Sequence, residues 1–211
     1  MSELFTLPVS TPLDTFFEEI LLAELKTIPT REGATTLAAV THLTGSDGGD
    51  WSIWQEGGTP LITAESTEDA LIQFTLSADD FREMAFGSVR DRLLEEAGGI
   101  SAVDTPKHKS LLGMLMLTET EAEALLAAVQ GDLQLVIDDP DEFCEYTVTI
   151  TFGASTPNPD APRAKLTVSI DDWVGMIRGK MDPQQAFMQG KIRLEGDLSL
   201  PMSLMTLATN R

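Results

Sequence analysis

The sequence predicts an α+β protein with a mainly antiparallel sheet covered by helices. Three observations support this class. Helix-type and strand-type apolar patterns follow one another, one strand–helix segment occurs twice, and 42% of the 211 residues are hydrophobic. That hydrophobic share, beside 23% charged residues, is ordinary for a folded protein and excludes wholesale disorder. A chain of this length forms one large domain or two small ones.

The first half begins with an amphipathic helix over residues 13–25, which Pro12 starts and Pro29 ends. Residues 37–44 and 51–54 are predicted to be the two strands of a hairpin. The stretch between them reads Gly-Ser-Asp-Gly-Gly-Asp, and this composition is typical of a turn.

A strand–helix segment then occurs twice, because residues 72–87 align without gaps with residues 164–179 at an offset of 92 residues. The shared positions are Thr75/Thr167, Ser77/Ser169, Asp79/Asp171, Asp80/Asp172, Met84/Met176 and Gly87/Gly179, with Phe81/Trp173 as an aromatic match. Each copy reads as a half-buried strand followed by an amphipathic helix, and Asp171 or Asp172 is expected to cap the second helix. Chance could produce such a pair, but the constant offset near half the chain length favours duplication.

The remaining segments fit around this repeat. Residues 91–97 are predicted to be helical, and residues 111–117 to be either a strand or a helix that joins the two halves. A helix is also predicted over residues 122–129. Three alternating segments follow, at residues 133–137, 146–152 and 166–170. They predict an antiparallel meander with one apolar face. Two such units could share one sheet or pack separately.

The C-terminal part carries the most specific pattern. Asp182 is expected to cap a helix with Pro183 at its first position, and Gly190 is expected to end that helix. A strand is predicted over residues 192–195, and an almost uninterrupted apolar stretch follows over residues 198–207.

With these residues the chain resembles the sterol carrier protein 2 (SCP2) sterol-binding domain family. The resemblance lies in residues 166–179, in the spacing G-K-x-D-P-x-x-A-F-x-x-G-K-x-x-x-x-G over residues 179–196, and in the apolar residues after it. Residues 118–211 are therefore expected to form an SCP2-like lipid-binding unit. Residues 11–117 are expected to form a degenerate SCP2-like unit, which lacks a counterpart of residues 182–190.

The resemblance implies a sheet covered on one face by helices, with a hydrophobic tunnel between them, and the internal repeat predicts that this fold is duplicated. Members of the family bind fatty acids, acyl-CoAs, sterols or other lipids. The residues expected to bind the lipid are Trp173, Met176, Ile177, Phe187, Met188, Ile192, Leu194, Leu198, Leu200, Met202 and Met205. Their alternative role is ordinary core packing, because methionine and aromatic side chains serve both purposes.

The first functional hypothesis is non-enzymatic binding and carrying of a long apolar ligand, such as a fatty acid, an acyl-CoA, a sterol or an isoprenoid. The second is an acidic interaction module without a ligand of its own, which supports a lipid-metabolising enzyme and docks on a basic protein. The third is catalysis on a bound lipid, which needs a carboxylate or histidine with a perturbed pKa in the cavity.

Signals for enzymes, cofactors and metals are weak. The chain has no nucleophile elbow, phosphate-binding loop or dinucleotide fingerprint, and no cofactor is expected. His42 and His108 stand far apart, and Cys144 lies beside acidic residues that disfavour its thiolate. Residues 45–50 and 138–142 are predicted to be turns and not metal sites, because they lack the spaced ligands of a calcium loop.

The charge of the chain restricts its partners. There are 34 acidic against 14 basic residues, and the formal net charge is −20 at pH 7. This charge opposes nucleic acids and anionic membrane surfaces, and no stretch approaches the apolar length of a membrane span. The start of the sequence lacks a secretory pattern and Cys144 is the only cysteine, so a cytoplasmic location is expected.

Overall fold

The computed structural model describes residues 3–27, 39–67, 70–97, 120, 122, 126–127, 129–153 and 155–209, with residues 3, 97 and 205–209 as backbone only. The predicted segment 111–117 and His108 lie outside the described residues. Among residues 120–127, those that are described are helical, in agreement with the helix predicted there.

A short 3₁₀ turn (Glu3–Thr6) precedes an N-terminal helix over residues 13–25, in which a π-helical stretch (Thr15–Leu21) continues into α1 (Leu22–Leu25). The other helices are α2 (Ala78–Phe86), α3 (Ser88–Ala97), α4 (Ile170–Ile177), α5 (Pro183–Met188) and α6 (Ser199–Thr209). The strands are β1 (Ala39–Thr44), β2 (Gly49–Glu56), β3 (Thr59–Thr63), β4 (Ile72–Ser77), β5 (Gly131–Asp139), β6 (Cys144–Phe152), β7 (Ala164–Ser169) and β8 (Ile192–Gly196).

The eight strands of the described residues form one mixed sheet, in the order β3-β2-β1-β4-β6-β5-β7-β8. Its pairs are antiparallel except β1 with β4 and β5 with β7, which are parallel. The expected meander in the second half is therefore wrong, since β6 pairs with β4 and leaves β7 to join the opposite edge of β5. Strands from both predicted units are hydrogen-bonded in a single sheet.

The two repeat segments have the same local structure. β4 and β7 start and end 92 residues apart, and α2 and α4 follow them without a gap. In both copies the N-cap is the shared serine, because Ser77 Oγ accepts from Asp80 N at 2.9 Å and Ser169 Oγ accepts from Asp172 N at 3.2 Å. Asp171 and Asp172 lie in the first turn instead of at the cap, where their charge suits the helix dipole.

The C-terminal helix motif is confirmed. Asp182 caps α5 by accepting from Gln185 N at 3.0 Å, and Pro183 is its first residue. Gly190 has a φ of +72°, the left-handed conformation that ends helices, and β8 follows. The apolar stretch after β8 forms α6.

The β2–β3 hairpin was not predicted. Its two strands are joined by Gly57 and Gly58, whose φ values are +57° and +82°. Two adjacent residues in the left-handed region match the tight hairpin turn that a Gly-Gly pair favours. The Gly-Gly pair was the available sequence signal.

The sheet has one polar face. In strand register a row of polar side chains crosses seven strands in the order Asp50, His42, Thr75, Thr149, Gln134, Lys165 and Glu195. His42 bridges two of its neighbours here, with Nδ1 2.9 Å from Asp50 Oδ1 and Nε2 3.1 Å from Gln73 Oε1.

The described helices pack on the other, apolar face, where the buried side chains form three clusters. The N-terminal cluster comprises Leu13, Phe16, Phe17, Leu21, Leu25, Leu43, Trp51, Ile53, Leu76, Ala78, Phe86 and Val148. The α4 cluster comprises Val89, Ile137, Tyr146, Val168, Ile170, Val174, Ala186 and Ile192. The α6 cluster comprises Ile72, Val129, Leu133, Phe152, Ala164 and Leu200. No helix in the described part of the chain has both the length and the apolar character needed to cross a membrane.

A substitution at Val148 of β6 tests whether the two halves unfold together. Val148 comes from the second half, whereas every other buried member of the N-terminal cluster comes from the first half. Val148→Ala is expected to cost about 2 kcal/mol of the free energy of unfolding. Because one sheet joins the halves, hydrogen exchange should show weaker protection in β1 and in β7 alike. Val9→Ala, at an exposed position, is the control. Weakened protection confined to the second half would contradict the shared sheet as a cooperative unit.

Candidate apolar binding site

The three buried clusters meet at four half-buried side chains, which we call the junction residues: Phe74, Met84, Ile150 and Leu166. Met84 packs against the N-terminal and α4 clusters. Phe74 and Ile150 pack against the N-terminal and α6 clusters, and Leu166 against the α4 and α6 clusters. The side chains within each cluster are thus buried from solvent, whereas the junction residues, where the clusters meet, are only partly buried.

The junction residues continue into a half-buried row along the middle of the apolar face. Phe74 pairs with Ile150 across β4 and β6, and Leu166 pairs with Leu135 on one side and Leu194 on the other. The row extends over the five strands β4, β6, β5, β7 and β8. Between β6 and β5 it runs diagonally from Ile150 to Leu135, because their direct partners, Leu133 and Val148, are buried. Five neighbouring strands supply an apolar floor about 20 Å long, given ~4.8 Å between strands.

The repeat supplies both sides of this site. At the offset of 92 residues, Phe74 corresponds to Leu166 on the floor, and Met84 corresponds to Met176 in the helix above it. Met176 packs against the α4 cluster and is half-buried, like Met84. The first-copy residues were missed because the first unit was expected to be degenerate, although the sequence alignment had already paired them.

The expected binding residues occupy different environments. Ile192 and Leu200 are buried in two separate clusters. Those that are half-buried along the row or on α4 are Trp173, Met176, Ile177 and Leu194. Those that are exposed are Phe187, Met188, Leu198 and Met202, and the side chain of Met205 lies outside the described residues. The structure therefore brings together the α4 and β8 members with the junction residues.

The exposed members lie at the two ends of β8. Phe187 and Met188 belong to α5, which precedes β8, and Met188 is 74% exposed. Leu198 and Met202 lie at the start of α6, which follows β8. Apolar side chains thus reach the surface at both ends of the edge strand that borders the row.

Aromatic packing fills the N-terminal cluster. The ring of Phe16 lies 4.9–5.5 Å from the rings of Phe17, Phe81 and Phe86. Phe17 also stacks on Trp51 with ring centroids 4.5 Å apart. Such offset and edge-to-face contacts are favourable beyond the area they bury. This cluster is a packed core, so the less covered part of the face lies nearer the second half.

Tyr146, a buried ionisable residue of the α4 cluster, has its hydroxyl engaged in hydrogen bonds. Burial, together with a hydrogen bond to Cys144, raises the pKa of the Tyr146 phenol to about 12, and its hydroxyl lies 3.2 Å from Ser88 Oγ. The phenol therefore stays protonated at neutral pH. His42 lies on the opposite, polar face of the sheet.

A polar anchor fixes α6 beside the row. Asp197 accepts hydrogen bonds from the Ser199 hydroxyl at 2.6 Å and the Ser199 backbone N–H at 2.9 Å. Its other oxygen lies 2.7 Å from Arg163 Nη2. The Ser199 hydrogen bond first, and then Arg163, lower the pKa of Asp197 to about 2. The start of α6 is held to the start of β7 through these contacts.

Residues 112–209 match the model of the SCP-2 sterol transfer family. Sterol carrier protein 2 of Oryctolagus cuniculus is 30% identical over 139 residues, which are 63% of this chain and 25% of that protein. Non-specific lipid-transfer protein-like 1 of Caenorhabditis elegans is 40% identical over 43 residues, which are 20% of this chain and 36% of that protein.

The chain therefore spans a quarter of the length of the rabbit relative. Among solved structures, the sterol carrier protein domain 2 of Helicoverpa armigera has 28% sequence identity and a TM-score of 0.35. That similarity covers 44% of this chain and 76% of the insect chain.

The anchor of α6 predicts a pH dependence of stability. The pKa of Asp197 is lower in the folded protein than in an unfolded chain, so its stabilisation is complete above about pH 4 and is lost as the pH falls toward about 2. Asp197→Asn should therefore lower the melting temperature by a constant amount above about pH 5, with the difference almost vanishing near pH 2. Melting curves across this range measure it, and the exposed Asp160→Asn is the control. A pH-independent difference would contradict the anchor's ionic character.

Proposed function

We propose that this chain is a lipid-binding member of the SCP-2 sterol transfer family, which carries a long apolar ligand on the half-buried row of its sheet. The observation that carries the proposal is the continuity of that row across the junction residues, between clusters that are otherwise buried. The match of residues 112–209 to the family supports it, as do the relatives named for sterol carriage and lipid transfer.

The energetics of such a site need no polar contact. Burying about sixteen methylenes at ~0.8 kcal/mol each is worth on the order of 10 kcal/mol. Immobilisation of the ligand offsets a large part, and binding in the micromolar range remains. Met84 and Met176 suit this role, because the unbranched thioether side chain adapts to ligands of different shape.

The proposed site belongs to both halves of the chain. Phe74 and Met84 come from the predicted first unit, residues 11–117, while Leu166 and Met176 come from the second, residues 118–211. The two units are thus proposed to be a duplication in which the first copy lost a separate ligand pocket and kept the residues that face the shared row. The aromatic packing of the N-terminal cluster supports this interpretation.

The alternative function, an interaction module that docks on a basic protein, rests on a different feature. Phe143, at the tip of the β5–β6 hairpin, is 95% exposed; Glu142 precedes it and Glu145 follows two residues later. An exposed aromatic side chain within an acidic turn suits a partner that offers an apolar pocket with a basic rim. This role would need no ligand on the sheet.

Ligand binding is tested on the purified full chain. An organic extract analysed by mass spectrometry should contain a retained lipid, and dehydroergosterol should show a saturable rise in fluorescence on titration. Absence of both a retained lipid and saturable binding would make the proposal wrong and leave the interaction module as the better hypothesis.

Three methionines provide a matched test of the site's location. Met84→Ala and Met176→Ala should each weaken dehydroergosterol binding by about fivefold, which corresponds to roughly 1 kcal/mol of lost apolar contact. Met188→Ala should leave the affinity unchanged, because its side chain is 74% exposed on α5. Fluorescence titration of the three variants measures the effect, and circular dichroism confirms that each is folded. Equal affinities for all three would place the ligand elsewhere.

A further inference from the structure

We infer that the site selects apolar ligands with an uncharged head, such as sterols, long-chain alcohols or esters, over ligands with an anionic head, such as free fatty acids or acyl-CoAs. The inference rests on the proposed function and narrows its substrate class. Its basis is the charge around the row: in the described part of the chain, five cations on the helices and loops around the row are held by the protein's own carboxylates. Lys165 and Arg193 adjoin Leu166 and Leu194 in sequence, but in strand register they lie on the opposite, polar face of the sheet.

The cations at the end of α4 share one carboxylate from α3. Arg178 Nη1 lies 3.6 Å from Glu96 Oε2, and Lys180 Nζ lies 3.4 Å from the same atom. Arg178 also donates to the backbone carbonyl of Glu96. Arg178 directly follows Ile177, which is half-buried at the end of α4, and Lys180 lies two residues further along the chain.

Arg92 of α3 is surrounded by three carboxylates. Its guanidinium lies 3.2 Å from Asp139, 3.1 Å from Asp141 and 2.9 Å from Asp171. Burial opposes the charge of Arg92, but the hydrogen bond to Asp141 and the charges of Asp171 and Asp139 outweigh it and raise the pKa of the guanidinium. A ligand carboxylate would meet a surplus of negative charge at this cation.

Two further cations, one directly before β7 and one directly before β8, are paired as well. Lys191, directly before β8, lies 2.7 Å from Asp172 at the start of α4. Arg163, directly before β7, pairs with Asp197 and also donates to the carbonyl of Gln130 at 2.7 Å. Arg92, Arg163, Arg178, Lys180 and Lys191 are therefore five cations held by six carboxylates.

The N-termini of the helices beside the row are capped by side chains of the chain itself. Ser77 caps α2 and Ser169 caps α4, and each helix carries two aspartates in its first turn. Asp182 caps α5 with its own carboxylate. A helix N-terminus attracts anions through its free N–H groups and its dipole, and here the side chains of the chain itself satisfy both. An anionic head would have to displace them.

The overall charge acts in the same direction. The formal net charge of −20 repels an approaching anion at low ionic strength, and salt screens that repulsion. A neutral head with a hydroxyl or ester group experiences neither this repulsion nor the loss of an ion pair. The selectivity is thus expected to be strongest at low salt.

A displacement assay on the intact chain tests this inference. Dehydroergosterol is bound first, and 1-hexadecanol or palmitate, which share a 16-carbon chain, is then titrated at pH 7.4. Hexadecanol should displace the probe at a concentration about tenfold below that of palmitate in low salt, and the ratio should shrink as salt is raised. Palmitate displacing the probe as well as hexadecanol, or better, would overturn the inference while the proposed function stands.

Glu96→Gln gives a gain-of-binding test, because it releases Arg178 and Lys180 from their carboxylate. Palmitate should then compete several-fold better, and hexadecanol should be unaffected. Glu56→Gln removes the same charge at an exposed position at the end of β2 and is the matched control. An equal gain in both variants, or none in Glu96→Gln, would show that paired cations do not set the selectivity. Failure of dehydroergosterol to bind the wild-type chain would remove the proposed function itself.

Discussion

The structure depends on the antiparallel pairing of β4 with β6. Four register pairs, from Ile72 opposite Phe152 to Thr75 opposite Thr149, join strands from the two halves into one sheet. Without them each half would be a small sheet with an additional open edge, and the half-buried row would be cut between Phe74 and Ile150. The pairing also places α2 and α4, which leave equivalent strands, on the same face. Their methionines therefore contact one continuous surface, and the candidate site is a product of contact between the halves.

Local chemistry made several elements predictable. The repeat, the cap at Asp182 and the glycine that ends α5 all depend on residues within a few positions of one another. The pairing of strands did not follow from the sequence, because a parallel pair such as β5 with β7 is set by long-range packing and not by a local pattern. The candidate site was predicted in part. Its α4 and β8 members were expected, whereas Phe74 and Ile150 reach it only through the pairing of β4 with β6.

Several acidic residues have structural roles, and these roles explain part of the abundance of aspartate and glutamate. Asp79, Asp80, Asp171 and Asp172 lie at the positive ends of helix dipoles. Others neutralise cations that join one element to another, as Glu96 does between α3 and the end of α4. These exposed pairs contribute little stability individually, but they fix which groups surround the apolar row. Charge in this protein therefore serves to position helices and to shape the environment of a surface that has no polar motif of its own.

The outermost strands of the sheet are β3 and β8. The two halves are related by a shift along the sheet, so that β2-β1-β4 recurs as β6-β5-β7, and such a translation has no natural end. At one side of the sheet, β8 pairs with β7 in the same antiparallel way as β6 pairs with β4. At the other side, β3 pairs with β2 in the same antiparallel way as β4 pairs with β6. A head-to-tail arrangement of this kind would propagate into a fibre if a further copy could add at either side. In the described part of the chain, β3 and β8 occupy the two positions at which a further copy of the pattern would have to pair.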